Sequence, residues 1–168
     1  RVLEASSDWS EILKIAASPD LEIVISNTTE VGIVLSEDAV SDNPPSSFPG
    51  KLLSLLYHRY KHFQGDISKG LVILPTELIS ENGQKLKEII VTLSDQNNLG
   101  EDFKDWLLSA NDFCNTLVDR IVPGKLPQAE QDVIENHLGY KDNLMIMAEP
   151  FALWAIESSS DRVKEKLS

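Results

Sequence analysis

Leu71-Val72-Ile73-Leu74-Pro75 is a short apolar run closed by a proline, and it reads as a buried strand. Leu21-Glu22-Ile23-Val24-Ile25-Ser26 has the same character fifty residues earlier. Between them a helix opens at Pro49, where a missing N–H costs nothing. Leu52, Leu55, Leu56, Tyr60 and Phe63 then follow at helical spacing. Lys51, His58, Arg59 and Lys61 lie largely off that stripe. A strand, a helix and a strand in this order form the repeating unit of a parallel sheet, so the expected fold class is α/β with a largely parallel sheet.

The pattern continues on both sides. Ser7 or Asp8 caps a short helix carrying Ile12, Leu13, Ile15 and Ala16, which ends before Pro19-Asp20. Two more helices are expected from about Gln84 to Asp95 and from Glu101 to Ala110, burying Leu86, Ile89, Ile90 and Leu93, and Phe103, Trp106 and Leu107. Asn82-Gly83 reads as a turn ahead of the first of these. Leu117–Val122 reads as a third strand, Pro127–Leu138 as a helix stopped by Gly139, and Leu144-Met145-Ile146-Met147 as a fourth strand. Residues 36–47, with Asp38, Asp42, Asn43, Pro44 and Pro45, are too polar and proline-rich for core.

The chain has 168 residues, 42% apolar and 25% charged, enough for one domain with a full core. Its net charge of −12 disfavours nucleic acid and anionic membrane surfaces as partners. No apolar run reaches the roughly 20 residues that span a bilayer, and a cytoplasmic location is expected. The single cysteine, Cys114, cannot form an internal disulfide and is expected to be buried. His58, His62 and His137 lack an acid or cysteine at ligand spacing and read as surface residues, so no metal is expected. Trp9, Trp106 and Trp154 read as packing residues. The chain starts at Arg1 and ends in the charged run Ser160–Lys166, as a piece of a longer protein would.

Two stretches carry polar groups where chemistry is expected. Asn27-Thr28-Thr29-Glu30 follows the first strand, and ligands of doubly wound sheets sit outside the carboxyl ends of strands. Asn115-Thr116-Leu117-Val118-Asp119-Arg120-Ile121-Val122-Pro123 places an acid and a base inside an apolar run. Taken alone, Asp119-Arg120 reads as a structural ion pair, since buried charges need partners wherever they occur.

In conjunction, several segments point further. Asn115–Pro123 resembles the N-S-M-V-D-R-I-T-P signature of the mannitol dehydrogenase family of polyol-specific long-chain dehydrogenases. Phe48-Pro49-Gly50-Lys51-Leu52 is similar to that family's F-P-G-K-L, Asn82-Gly83 to its N-G, Glu149-Pro150-Phe151 with Trp154 to its E-P-F-x-x-W, and Thr29-Glu30 to its T-E. Five such matches in order span nearly all of this chain. Thr76-Glu77-Leu78-Ile79 resembles the C-E-L-I of the tagaturonate reductase (altronate oxidoreductase) branch. Relatives active on mannitol have D-N where Glu77 and Leu78 stand, and leucine can neither donate nor accept a hydrogen bond, which favours a uronate over a plain polyol.

The resemblance implies a Rossmann-like nucleotide-binding domain followed by a helical domain, with NAD as cofactor and a sugar acid as substrate. It implies that Asn27, Thr28, Thr29 and Glu30 lie by the nicotinamide half of NAD, and that Glu77, Asn82, Asn115 and Asp119 lie on the substrate side. Two family elements are missing. The eight glycines contain no G-x-G-x-x-G, so the backbone cradle for the pyrophosphate is absent. Lys51, Lys61 and Lys141 do not stand in the family's K-x-x-x-x-N-x-x-H pattern, so no catalytic residue is expected in this chain. The expected organisation is therefore an incomplete Rossmann-like domain over residues 1–158, lacking the first βαβ and the helical domain, with 159–168 beginning the connection to that absent domain. The expected activity is interconversion of D-tagaturonate and D-altronate by the whole protein. The alternatives are a mannitol or fructuronate reductase of the same family, or a non-catalytic module that kept the fold.

Overall fold

The computed structural model describes residues 2–29 and 31–168. They divide into two compact units, residues 1–117 with 156–168, and residues 118–155. The first unit holds β1 (Ile23–Ser26), β2 (Val72–Pro75) and β3 (Asp112–Phe113) in a parallel sheet of order β1-β2-β3. Ile23 pairs with Val72 and Ser26 with Pro75, so the carboxyl ends of β1 and β2 finish level. Helix α2 (Phe48–His62) connects β1 to β2, and α3 (Asn82–Gln96) and α4 (Glu101–Ala110) connect β2 to β3. The expected α/β class with parallel strands is what forms.

Strand β2 is buried at every position, as a central parallel strand must be. Its side chains alternate. Leu71 and Ile73 join the main core with Leu52, Leu56, Leu86, Ile90, Phe103 and Trp106. Val72 and Leu74 enter a smaller cluster on the other face with Cys114 and Val163. Val163 comes from α6 (Asp161–Leu167), which Arg162 also ties to Asp112 of β3 at 2.5 Å.

Helix α1 (Ala5–Ala16) kinks at Asp8, whose carboxylate reaches back to the Glu4 N–H at 2.9 Å. Trp9 of α1 and Trp106 of α4 are packed inside, as expected. The cysteine expectation also holds, with Cys114 2% exposed. Burial pushes its thiol pKa up.

Arg59 overturns its expected place on the solvent side. It is 1% exposed, because it stands seven residues after Leu52 and three after Leu56, on the apolar stripe itself. Its guanidinium donates to the carbonyls of Ala16 (2.7 Å), Ser18 (2.8 Å), Leu21 (3.0 Å) and Lys69 (2.5 Å). These acceptors belong to the end of α1, the entry to β1 and the turn before β2. Burial lowers the pKa of the guanidinium, but arginine has reserve enough to stay charged.

The 36–47 segment also departs from expectation, for Asp38 within it is buried. Its carboxylate accepts hydroxyl hydrogen bonds from Ser36, Ser46 and Ser47, and the N–H groups of Ser46 (2.7 Å) and Ser47 (3.0 Å). Ser47 in turn caps α2 by accepting from the Gly50 N–H at 2.9 Å. A segment too polar for an apolar core thus folds around one acid.

The remaining strands form differently from the sequence expectation. Residues 115–119, not 117–122, make β4 (Asn115–Asp119), which pairs with β5 (Leu153–Glu157) in a separate two-stranded sheet. The sheet's third strand is instead the two-residue β3. Leu144–Met147 makes no strand, only a single bridge from Met147 to Gly124. In the second unit α5 (Gln128–Leu138) stops at Gly139 in the left-handed region, φ 79°, as expected. No residue of 118–155 is buried, and Trp154, expected to pack, is 45% exposed. Among the described residues no helix is long and apolar enough to cross a membrane.

Replacing Arg59 by Met should lower stability by about 3 kcal/mol or more, since its carbonyl acceptors lose their donor. Urea denaturation measures this, and a loss below about 1 kcal/mol would contradict the role given to Arg59. A second expectation concerns acid. Burial alone would raise the pKa of Asp38, but the hydrogen bonds from Ser36, Ser46 and Ser47 outweigh it and hold the carboxyl well below the usual carboxylate range. The folded pKa lies below the unfolded one, so the stabilisation is present above about pH 4 and is lost as pH falls further. The stability difference between wild type and Asp38→Asn should therefore narrow below about pH 4, which denaturation at a series of pH values reads directly.

Candidate functional site

The carboxyl ends of β1 and β2 bring together Ser26, Asn27, Thr28, Pro75, Thr76 and Glu77. Thr76 donates both its N–H (2.8 Å) and its hydroxyl (2.7 Å) to the Ser26 carbonyl, extending the register past the strands. Glu77 is 3% exposed. One carboxylate oxygen accepts from the Ser26 hydroxyl at 3.0 Å, and the other from the Thr28 N–H and hydroxyl, both at 2.8 Å. The loop after β1 is thereby latched to the segment after β2.

Asn82 forms the second node. Its side-chain N–H groups donate to the carbonyls of Pro75, Glu77 and Thr116, each at 3.0 Å, and its oxygen accepts from Gly83 (2.8 Å) and Thr116 (2.9 Å). Its polar atoms are thus committed to backbone. The Thr116 hydroxyl donates to the Pro75 carbonyl. Asn82-Gly83 is not a turn ahead of the helix but the first turn of α3, entered through Glu81 at φ 53°. Asn115 supplies the cap from outside, accepting the Gln84 N–H at 3.0 Å while donating to Glu157 at 3.1 Å.

Gly83 explains why these parts fit together. A Cβ there would stand 2.3 Å from the Cys114 carbonyl oxygen and 2.8 Å from the Asn115 nitrogen. The chain between β3 and β4 runs against the helix at a distance that only glycine permits.

The structure thus links Thr28, Glu77 and Asn82 of the first unit by hydrogen bonds, and Asn115 bonds Gln84 in the same first turn of α3 as Asn82. Asn27 and Thr29 of the same loop are exposed, and Glu30 lies outside the described residues. Asp119 is exposed, and the expected ion pair with Arg120 does not form. Arg120 instead donates to the Glu149 carbonyl at 3.1 Å, and the Glu149 carboxylate accepts the Ile121 N–H at 2.6 Å. An exposed acid is solvated by water and needs no countercharge. Arg120 and Ile121 of one segment singled out by sequence are in this way joined to Glu149 of another, within the second unit.

Ser26, Thr76 and Thr116 were not foreseen. Ser26 carried a signal, a hydroxyl closing an otherwise apolar run, and Thr116 carried none beyond its place after Asn115. Among the described residues no group of three or more His, Cys, Asp or Glu is placed to hold a metal.

Residues 1–167 match the family described as mannitol dehydrogenase Rossmann domain. The altronate oxidoreductase of Phocaeicola vulgatus is 51% identical over 166 residues, covering 98% of this chain and 34% of the relative. That of Bacillus subtilis is 46% identical over 158 residues, covering 94% and 33%. The chain therefore spans about a third of the length of these relatives. Among solved structures, the Pseudomonas fluorescens mannitol 2-dehydrogenase ternary complex with NAD and D-mannitol superposes with a TM-score of 0.75 at 20% identity, over 94% of this chain and 33% of that one. A D-sorbitol dehydrogenase in substrate-free form gives 0.70 at 20% identity, over 96% and 36%.

Gly83→Ala should cost about 2–3 kcal/mol of stability, because the atoms it meets are backbone and cannot rotate away. Thermal unfolding checks this, and a variant as stable as wild type would show that the 114–115 crossing yields.

Proposed function

This chain belongs to the mannitol dehydrogenase Rossmann-domain family, and we propose that it is the cofactor-side part of an NAD-dependent altronate oxidoreductase that interconverts D-tagaturonate and D-altronate. The observation that carries the reading is the identity of 46–51% with altronate oxidoreductases along almost the whole chain. The residues after β2 support the same choice. Leu78, 68% exposed beside the latched Glu77, puts an apolar group where an amide would offer hydrogen bonds to a polyol.

NAD would supply the hydride acceptor or donor, and the described residues suit one half of it. Asn27 and Thr29 present polar side chains at the carboxyl end of β1, where parallel sheets place their ligands. Thr28, held by Glu77, fixes the shape of that loop. Glu77, Asn82 and Asn115 act by positioning, since their polar atoms are engaged with protein. Asp119, exposed at the end of β4, is the substrate-side group, its carboxylate without a protein partner among the described residues. No glycine cradle for the pyrophosphate occurs in the sequence, and that contact, like the general base, is assigned to other parts of the polypeptide. A small-molecule sugar acid and the helical domain of the same polypeptide are the proposed partners, in a cytoplasmic setting.

The direct test is the rate of NADH oxidation by the intact protein with tagaturonate, fructuronate and fructose in turn. Tagaturonate should give the highest kcat/KM; a preference for fructuronate or fructose would move the protein to another branch of the family.

A further inference from the structure

Glu77 is a buried acid that forms no ion pair among the described residues. Burying an unpaired charge is costly, and a neutral glutamine of the same size would fill the same space. Among the described residues its charge is met only by neutral donors, the hydroxyls of Ser26 and Thr28 and the Thr28 N–H. Such donors spread a negative charge without cancelling it. The carboxylate therefore projects a net negative potential at the carboxyl ends of β1 and β2, in a low-dielectric setting where screening is weak.

On the reading above, that is the edge that faces the nicotinamide ring. The ring carries a positive charge in NAD+ and none in NADH. We propose that the buried Glu77 carboxylate biases the site between the two redox states of the cofactor, strengthening the hold on the oxidised, cationic form relative to the reduced one beyond what a neutral residue would give. The inference rests on the cofactor reading and adds a property to it. Glu77 need not touch the cofactor, because it acts through its charge at a distance and through the loop that Thr28 anchors.

The test compares dissociation constants of NAD+, by calorimetry, and NADH, by fluorescence titration, in the intact protein. Glu77→Gln should weaken NAD+ relative to NADH by about tenfold, the scale of one unit charge roughly 12 Å away at an effective dielectric of about 20. Glu77→Asp keeps the charge and should keep the ratio, even where both affinities fall with the loosened loop. Equal weakening of both nucleotides by Glu77→Gln overturns the proposal and leaves Glu77 a purely structural latch. If Glu77→Gln does not fold, Asn27→Lys puts a cation on the same exposed loop and should shift the ratio in the same sense; an unchanged ratio there overturns the proposal as well. A wild-type protein that binds neither nucleotide would remove the cofactor reading itself, an outcome distinct from a ratio that does not respond.

Discussion

The close approach of the Cys114–Asn115 backbone to the first turn of α3 is the constraint around which the rest of the first unit is arranged. It requires glycine at position 83, and it puts Asn82, Asn115 and Thr116 within reach of one another. Given that contact, the Pro75 carbonyl and the Gln84 N–H are met by side chains of the crossing segment, and the Asn82 side chain meets the Gly83 N–H. The Pro75 carbonyl is the meeting point, accepting from both Asn82 and Thr116. A sheet edge that would otherwise fray is fixed in shape, and the loop after β1 is then latched to it through Glu77.

The same economy appears elsewhere in the first unit. Arg59 gathers carbonyls from three stretches that have no regular partner, and Asp38 gathers hydroxyls and N–H groups from a loop with no apolar core. Among the described residues each is a buried charge without a countercharge, kept in place by neutral dipoles of the backbone or of serine. One side chain with several hydrogen-bonding sites can order a segment that hydrophobic burial cannot, provided every site is used.

Much of this fold was legible in the sequence. The runs at 21–26 and 71–74 and the helical periods of α2, α3 and α4 announce themselves, because a layer buried on both faces leaves an unbroken apolar signal. β3 was illegible, since two residues carry no period. Leu117–Val122 and Leu144–Met147 were misread because an apolar run implies burial only where another layer covers it, and none does among residues 118–155. At the site, Asn82 and Asn115 were visible as amides near strand ends. Their use was not, for a residue type does not say whether its amide faces a ligand or a carbonyl. Arg59 was hidden by habit: a charged residue on an apolar stripe looks like a break in the stripe rather than a member of it.

The absence of any buried residue in 118–155 has a thermodynamic consequence. That unit draws little on hydrophobic burial, and its shape rests on contacts such as Glu149 to the Ile121 N–H and Met147 to Gly124, for which water competes. The parallel sheet opens only when the whole first unit does, whereas the second unit can open at a fraction of that free energy. The chain thus combines a first unit whose geometry is set by burial with a second unit, bearing Asp119, whose conformation is cheap to adjust.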